Sequence, residues 1–439
     1  MKKRILCFLM AIVFSIVMVF SADRANTLKV YNWADYISPT VLADFPTWYQ
    51  QQTGEEVEVI YNTFDINENM LTQIEVGKED YDVICPSEYI IDRMLKLNLL
   101  QQIDKTIVPD SINYFNGVAP FAIEKFRQMS NAVDVNDYAV GYMWGTTGWL
   151  YNEEYNTADE LNTWGVILDT TYENSIYMKD AYRDVYSVLV LYAYYDDIVS
   201  GKVTRTELVQ NITQERIDSV ASILIQAKRN VAGWEVDFGK EEMAKGAKCI
   251  NLSWSGDAQW AIQEGAEAGR HLNYVVPKEG TNVWFDGWCI PKYAVNTKAA
   301  TYFIDYMCRA DNAIKNMEEI GYVSVIGTSE ILAWAEDTTY EAVDASYMFG
   351  DAYTNVCLNP VLYPDKSVIE RAALMKDADE QISALTEMWN KVKGDNLSGT
   401  MAIVMAIIGI LAIIGFIIKF IQKRQLKAKQ QQTKKKYKK

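Results

Sequence analysis

From Leu28 to Asn98 the hydrophobic period of the chain switches repeatedly between two and about 3.6 residues, and that switching limits the folds open to it. LKVYNW (28–33) reads as a strand, and EVEVIYN (56–62) alternates and is rich in β-branched residues. YDVICP (81–86) reads as a buried strand. A run from Pro39, then NENMLTQIEVGK (67–78) and EYIIDRMLKLN (88–98), read as helices. Strands alternating with helices imply an α/β unit with a largely parallel sheet. Ligands of such sheets sit at the carboxyl ends of the strands. Trp33, Ala34 and Tyr36 follow the first strand, and Ser87 and Tyr89 follow the third. These are the positions where a ligand would be met.

AVGYMWGTTGWLYN (139–152) reads as a pair of extended segments, a crossing point to a second lobe. That lobe also alternates. SIYM (175–178), a helix from about Arg183, a long helix over 206–231 and KCINLSWS (248–255) follow one another. LNYVVP and VWFDGWCIP (283–291) read as strands, and a long helix is expected over 298–320. Further helices run through 366–395. No phosphate loop, GxGxxG or HExxH motif appears.

The two ends differ in composition from the middle. Residues 1–22 have a basic start, an apolar run from Ile5 to Phe20 and then small residues, the pattern of a secretory signal peptide; an uncleaved anchor is the alternative. Residues 401–418 carry no charge over 18 positions, just long enough to span a bilayer core. Ten Lys or Arg and no acid follow, which predicts a transmembrane helix over 401–421 and a cytoplasmic basic tail over 422–439. The net charge of −16 hides this asymmetry: without the tail and Lys2, Lys3 and Arg4, residues 5–418 carry −29. Such a domain repels nucleic acid and attracts cations. Five cysteines remain after Cys7, with no CxxC pair, so neither a disulfide framework nor a zinc site is indicated. His271 is the single histidine and sits at a strand entry, which leaves no ordinary His-based triad.

Four strand or loop ends repeat one composition of ring and acid: YNWADY (31–36), PSEY (86–89), WSGDAQW (254–260) and VWFDGW (283–288). KDAYRD (179–184) adds further acids. By strand alternation Asp286 shares a face with Trp284 and Trp288, and a charge beside apolar rings is unfavourable unless something positive or hydrogen-bonding meets it. A saturated amine needs carboxylates for its ammonium groups and apolar walls for its methylenes. Indole and phenol faces bury CH₂ groups and attract cations by roughly 0.5–2 kcal/mol per ring. Each piece alone has a plainer reading. Asp184 at a helix start complements the helix dipole, Asp257 is placed for an N-cap, and Trp33 is placed for a core.

YNWADYI, YDVICPSEYIIDRM, the WxGD segment, VPKEG…WFD…IP and EIGY, in that order, resemble the extracytoplasmic polyamine-binding proteins of ABC transporters, the spermidine/putrescine-binding family. The resemblance covers residues 28 to 395. It implies an α/β, two-lobed periplasmic-binding-protein-like fold with a cleft between the lobes, here followed by the C-terminal transmembrane helix. Residues 23–140 and 286–332 would form lobe 1, and 141–285 and 333–396 lobe 2. Trp33, Tyr36, Ser87 and Tyr89 would line the cleft from one lobe. Trp254 and Trp284 would pack on the methylene chain, Asp184, Asp257 and Asp286 would face ammonium groups, and Tyr322 would complete the wall. No catalytic residue, cofactor or metal is implied. The partners implied are a polyamine, ABC permease and ATPase subunits, and the membrane through the C-terminal helix. Departures from the family pattern are Ala34 after Trp33, an offset of one residue at Asp180, and Met375 where spermidine binders can place a glutamine. WSGD resembles the putrescine-type pattern, so the choice among polyamines stays open.

Three other readings compete. Paired carboxylates with aromatic walls also describe glycosidases. A sugar- or amino-acid-binding protein is a second, although an amino-acid carboxylate asks for an arginine and only Arg183 is at hand. A sensor ectodomain is a third, and the 21 residues after 418 hold no signalling domain.

Overall fold

A computed structural model describes residues 24–236, 238–247 and 250–394. The expected signal segment 1–22, the span 401–421 and the tail 422–439 lie outside the described residues. Among the described residues no helix is long and apolar enough to cross a membrane. By its internal contacts the chain divides at Leu385. From Thr386 the second unit begins with the last turns of a helix, Ile382–Gly394.

The first unit is built on twelve strands in one continuous sheet. β1 (Thr27–Trp33), β2 (Glu58–Phe64) and β3 (Val83–Ile84) are parallel, with Leu28 opposite Val59 and Val30 opposite Val83. α1 (Pro39–Thr53) follows β1, α2 (Asn67–Glu75) follows β2 and α3 (Glu88–Lys96) follows β3. α1 starts on Pro39, whose ring pre-sets the helical φ, and stops at Gly54 with φ +74°, a left-handed cap that side chains rarely adopt. Its buried face, Val41, Phe45, Trp48 and Tyr49, meets Phe303 and Tyr306. β4 (Leu100–Gln101) and α4 (Pro120–Met129) complete this side before the chain crosses.

The crossing is made by β5 (Ala139–Asn152), one strand of 14 residues rather than the two segments expected, and every residue in it is buried. Its first half pairs antiparallel with β10 (Thr281–Pro291), and its second half, from Thr147, with β8 (Ile250–Trp254). β6 (Ile176–Lys179) and β7 (Val231–Glu235) extend that far side, and β9 (Leu272–Val275) and β11 (Val323–Ser324) pair with β5 off the main path. The twelfth strand, Ala372–Leu374, runs parallel to Thr281–Val283. A strand covered on both faces reads as a continuous apolar run, which is why β5 shows little alternation.

The helices of the second side are α5 (Tyr182–Ala193), α6 (Arg205–Gln210), α7 (Gln214–Ala227) and α8 (Ser255–Glu267). The single helix expected over 206–231 is broken because Thr213 is extended and its side chain caps α7 by accepting from the Arg216 N–H. The helix expected over 298–320 likewise divides into α9 (Thr297–Met307) and α10 (Ala310–Ile320), with Arg309 extended between them. α11 (Ser329–Ala335) packs on α10, and α12 (Ser346–Phe349) on α4.

Candidate ligand-binding site

β10 slips its register where it passes from one lobe to the other. Phe285 stands opposite Trp144 and Gly287 opposite Gly141, so Tyr142 and Met143 share the place opposite Asp286. Asp286 faces the junction of β3 and α3 and bridges to Ser87, while the Gly287 N–H donates to the Pro86 carbonyl at 3.0 Å. Ser87 is the N-cap residue of α3, yet its hydroxyl does not cap the helix; it donates to Asp286 at 2.7 Å. The Tyr36 hydroxyl donates to the other carboxylate oxygen at 2.8 Å. The two indoles expected beside Asp286 part company. Trp288 is fully buried in the first-lobe core against Tyr142 and Phe303, whereas Trp284 packs edge-on to Tyr322 at 5.3 Å. The acid is met by two hydroxyls instead.

Two other interior acids lie close. Asp184, in the first turn of α5, accepts from the Trp254 indole N–H at 3.2 Å and from Asn282 at 2.9 Å. Glu88 accepts from the Phe285 N–H at 3.1 Å, and its other oxygen has no partner among the described residues. Burial drives the Asp286 carboxyl up to about 6, against the pull of Ser87 and Tyr36, and the charge of Asp184 pushes the same way. Burial raises Asp184 too, opposed by Asn282, Trp254 and the neighbouring Arg183. Burial raises Glu88 well above its ordinary value, opposed by the Phe285 N–H.

Asp257 sits in the first turn of α8 but is not its cap, a place held by Trp254. Its carboxylate meets Lys179 at 2.8 Å, Lys240 at 3.0 Å and the Tyr322 hydroxyl at 2.9 Å. Burial would raise it, but the two ammonium groups outweigh that and hold it below the usual value. The ammonium groups that Asp257 meets thus belong to the chain itself. Tyr322 also packs on Tyr36, with ring centres 5.9 Å apart. Tyr89 accepts from Asn67 at 3.1 Å and lies under the Arg183 guanidinium at 5.1 Å. Trp33 is half-buried on Phe64 at 4.5 Å, away from these carboxylates, and its indole N–H has no partner among the described residues. Asp180 is exposed.

Five side chains that the structure brings to these residues were not singled out in the sequence, Asn67, Lys179, Glu235, Lys240 and Asn282, and Glu88 entered only within PSEY. Lys179 heads the KDAYRD segment, so a signal was present; attention to acids passed over the cation beside them. Asn67 and Asn282 carry no pattern of their own, and only the fold brings them to Ser87 and Asp184. The site brings together buried carboxylates, hydroxyls that hydrogen-bond to them, and aromatic rings.

The family model described as bacterial extracellular solute-binding protein matches residues 47–342. The spermidine/putrescine-binding periplasmic protein of Escherichia coli K12 is 27% identical over 373 residues, spanning 85% of this chain and 93% of that protein. The putrescine-binding periplasmic protein PotF of the same organism is 26% identical over 387 residues, spanning 85% and 92%. Among solved structures, the spermidine/putrescine ABC transporter substrate-binding protein PotD from Streptococcus pneumoniae strain Canada MDR_19A aligns with a TM-score of 0.63 at 25% identity, covering 84% of this chain and 98% of that one.

Proposed function

We propose that this chain, which belongs to the bacterial extracellular solute-binding proteins, captures a polyamine in the cleft between its lobes for delivery to an ABC importer. Its family is one of binding proteins, not of enzymes. The observation that carries the reading is Asp286, a buried carboxylate held by Ser87 and Tyr36 with no ion-pair partner among the described residues. A buried charge is stable only when something neutralises it, and a ligand ammonium does so here. Asp184 lies near enough to oppose its ionisation, so the two acids accept the two ends of a short dication. Trp254, Trp284, Tyr36 and Tyr322 supply the walls for methylene groups. The polyamine-binding relatives support the same ligand class. The apolar run at 401–418 and the basic residues after it support a protein held at the cytoplasmic membrane with its lobes outside.

Calorimetric titration of the full chain with putrescine, spermidine, arginine and a disaccharide tests the reading. Micromolar or tighter binding of a polyamine alone is expected, weakened at least tenfold by Asp286→Asn. Folded protein that ignores both polyamines, or prefers the disaccharide, would overturn it.

A further inference from the structure

A lysine at a strand end is ordinarily exposed. Lys179, the last residue of β6, is 0% exposed. Its ammonium meets Asp257 at 2.8 Å and Glu235 at 3.2 Å, donates to the Val236 carbonyl, and stands 4.3 Å from the centre of the Trp254 ring. Carboxylate, carbonyl and indole face are what a protein offers a ligand's primary ammonium. Lys240 brings a second ammonium to Asp257. Asp257 and Glu235 are therefore matched by two lysines. Asp184 and Asp286 are not: among the described residues their hydrogen-bond donors are Trp254, Asn282, Ser87 and Tyr36, all uncharged. Arg183, next in sequence to Asp184, turns to the Tyr89 ring and the Lys376 carbonyl. Trp254 separates the two ends, giving its N–H to Asp184 and its face to Lys179.

We propose that Lys179 is a built-in ammonium filling one cation position of the cleft, so that the chain selects a diamine held between Asp286 and Asp184 over a triamine. The inference rests on the reading of the cleft as an amine site. A third ammonium reaches Asp257 only by displacing Lys179, which would strand a buried charge.

The test is the ratio of putrescine to spermidine dissociation constants, measured by calorimetry on the full chain and on Lys179→Met, which keeps the apolar stem over Trp254 and removes the charge. The wild type is expected to favour putrescine at least tenfold. Lys179→Met is expected to shift the ratio at least tenfold toward spermidine, because Asp257 gains a free position. A wild type that binds spermidine as tightly as putrescine, or a folded variant with the wild-type ratio, overturns the role of Lys179 and leaves the amine site standing. Failure of both amines to bind overturns both readings. The wild-type ratio needs no variant to fold, and a thermal melt of the variant accompanies its titration because a broken buried pair is destabilising.

Discussion

On the proposed reading of the cleft, the ionisation of Asp286 is linked to occupancy. Its folded-state value lies above its ordinary one, at about 6, so the sign of the linkage is opposite to that of a salt-bridged acid. The stability that this group lends the empty protein is fully present below its ordinary value, and up to about 3 kcal/mol of it is lost as the pH rises through about 6. Binding of an ammonium needs the ionised form. Putrescine affinity is therefore expected to be about tenfold weaker at pH 5 than at pH 7.5, with protons released to the buffer on binding near pH 6. Titrations in two buffers of different ionisation enthalpy measure both, and a flat profile would detach Asp286 from the ligand. Burial raises Asp184 and Glu88 as well, in the same direction as Asp286. Sequence alternation singled out Asp286 because an acid among rings is conspicuous. Its partners were not visible in that hexapeptide, since Ser87 and Tyr36 are 199 and 250 residues away. Lys179 shows the same limit: a lysine beside acids reads as a solvated charge until a fold buries it.

The elements that carry the site are loop ends and first turns. α8 begins with Ser255, Gly256 and Asp257, and a Cβ on Gly256 would run into the Tyr322 ring. Gly256→Ala is expected to displace Tyr322 from Asp257, destabilise the fold by about 1–3 kcal/mol and weaken amine binding several-fold. Denaturant unfolding and titration read the two effects, and unchanged values in both would show that the lobes do not meet there. Element types were legible where the hydrophobic period was clean, as in β1, α1, α2 and α3. They were less so where one extended residue interrupts a long helical pattern, at Thr213 and Arg309. β5, expected as two extended segments, is one strand. Within it Gly145 has Ser255 and the Trp284 ring 2.5 Å from where a Cβ would stand.

At the scale of the whole molecule, charge and topology govern. The −29 carried by residues 5–418 draws cations to the cleft, and the ten basic residues after Ile418 balance part of it from the other end. If the run at 401–418 is an anchor, the full chain sediments with membranes through an alkaline carbonate wash, and a chain ending at 398 is released. Release of both would remove the anchor. The order of strands has a consequence for how the sheet is closed. β8, β6, β7 and the far half of β5 all come from residues 147–254, a single stretch of chain. The far half of β5 takes β9 as well as β8, whereas β3 is joined to the rest of the sheet through Cys289 of β10, which follows Ile84 at a distance of 205 residues. That edge of the sheet is therefore closed only by a strand from far along the chain.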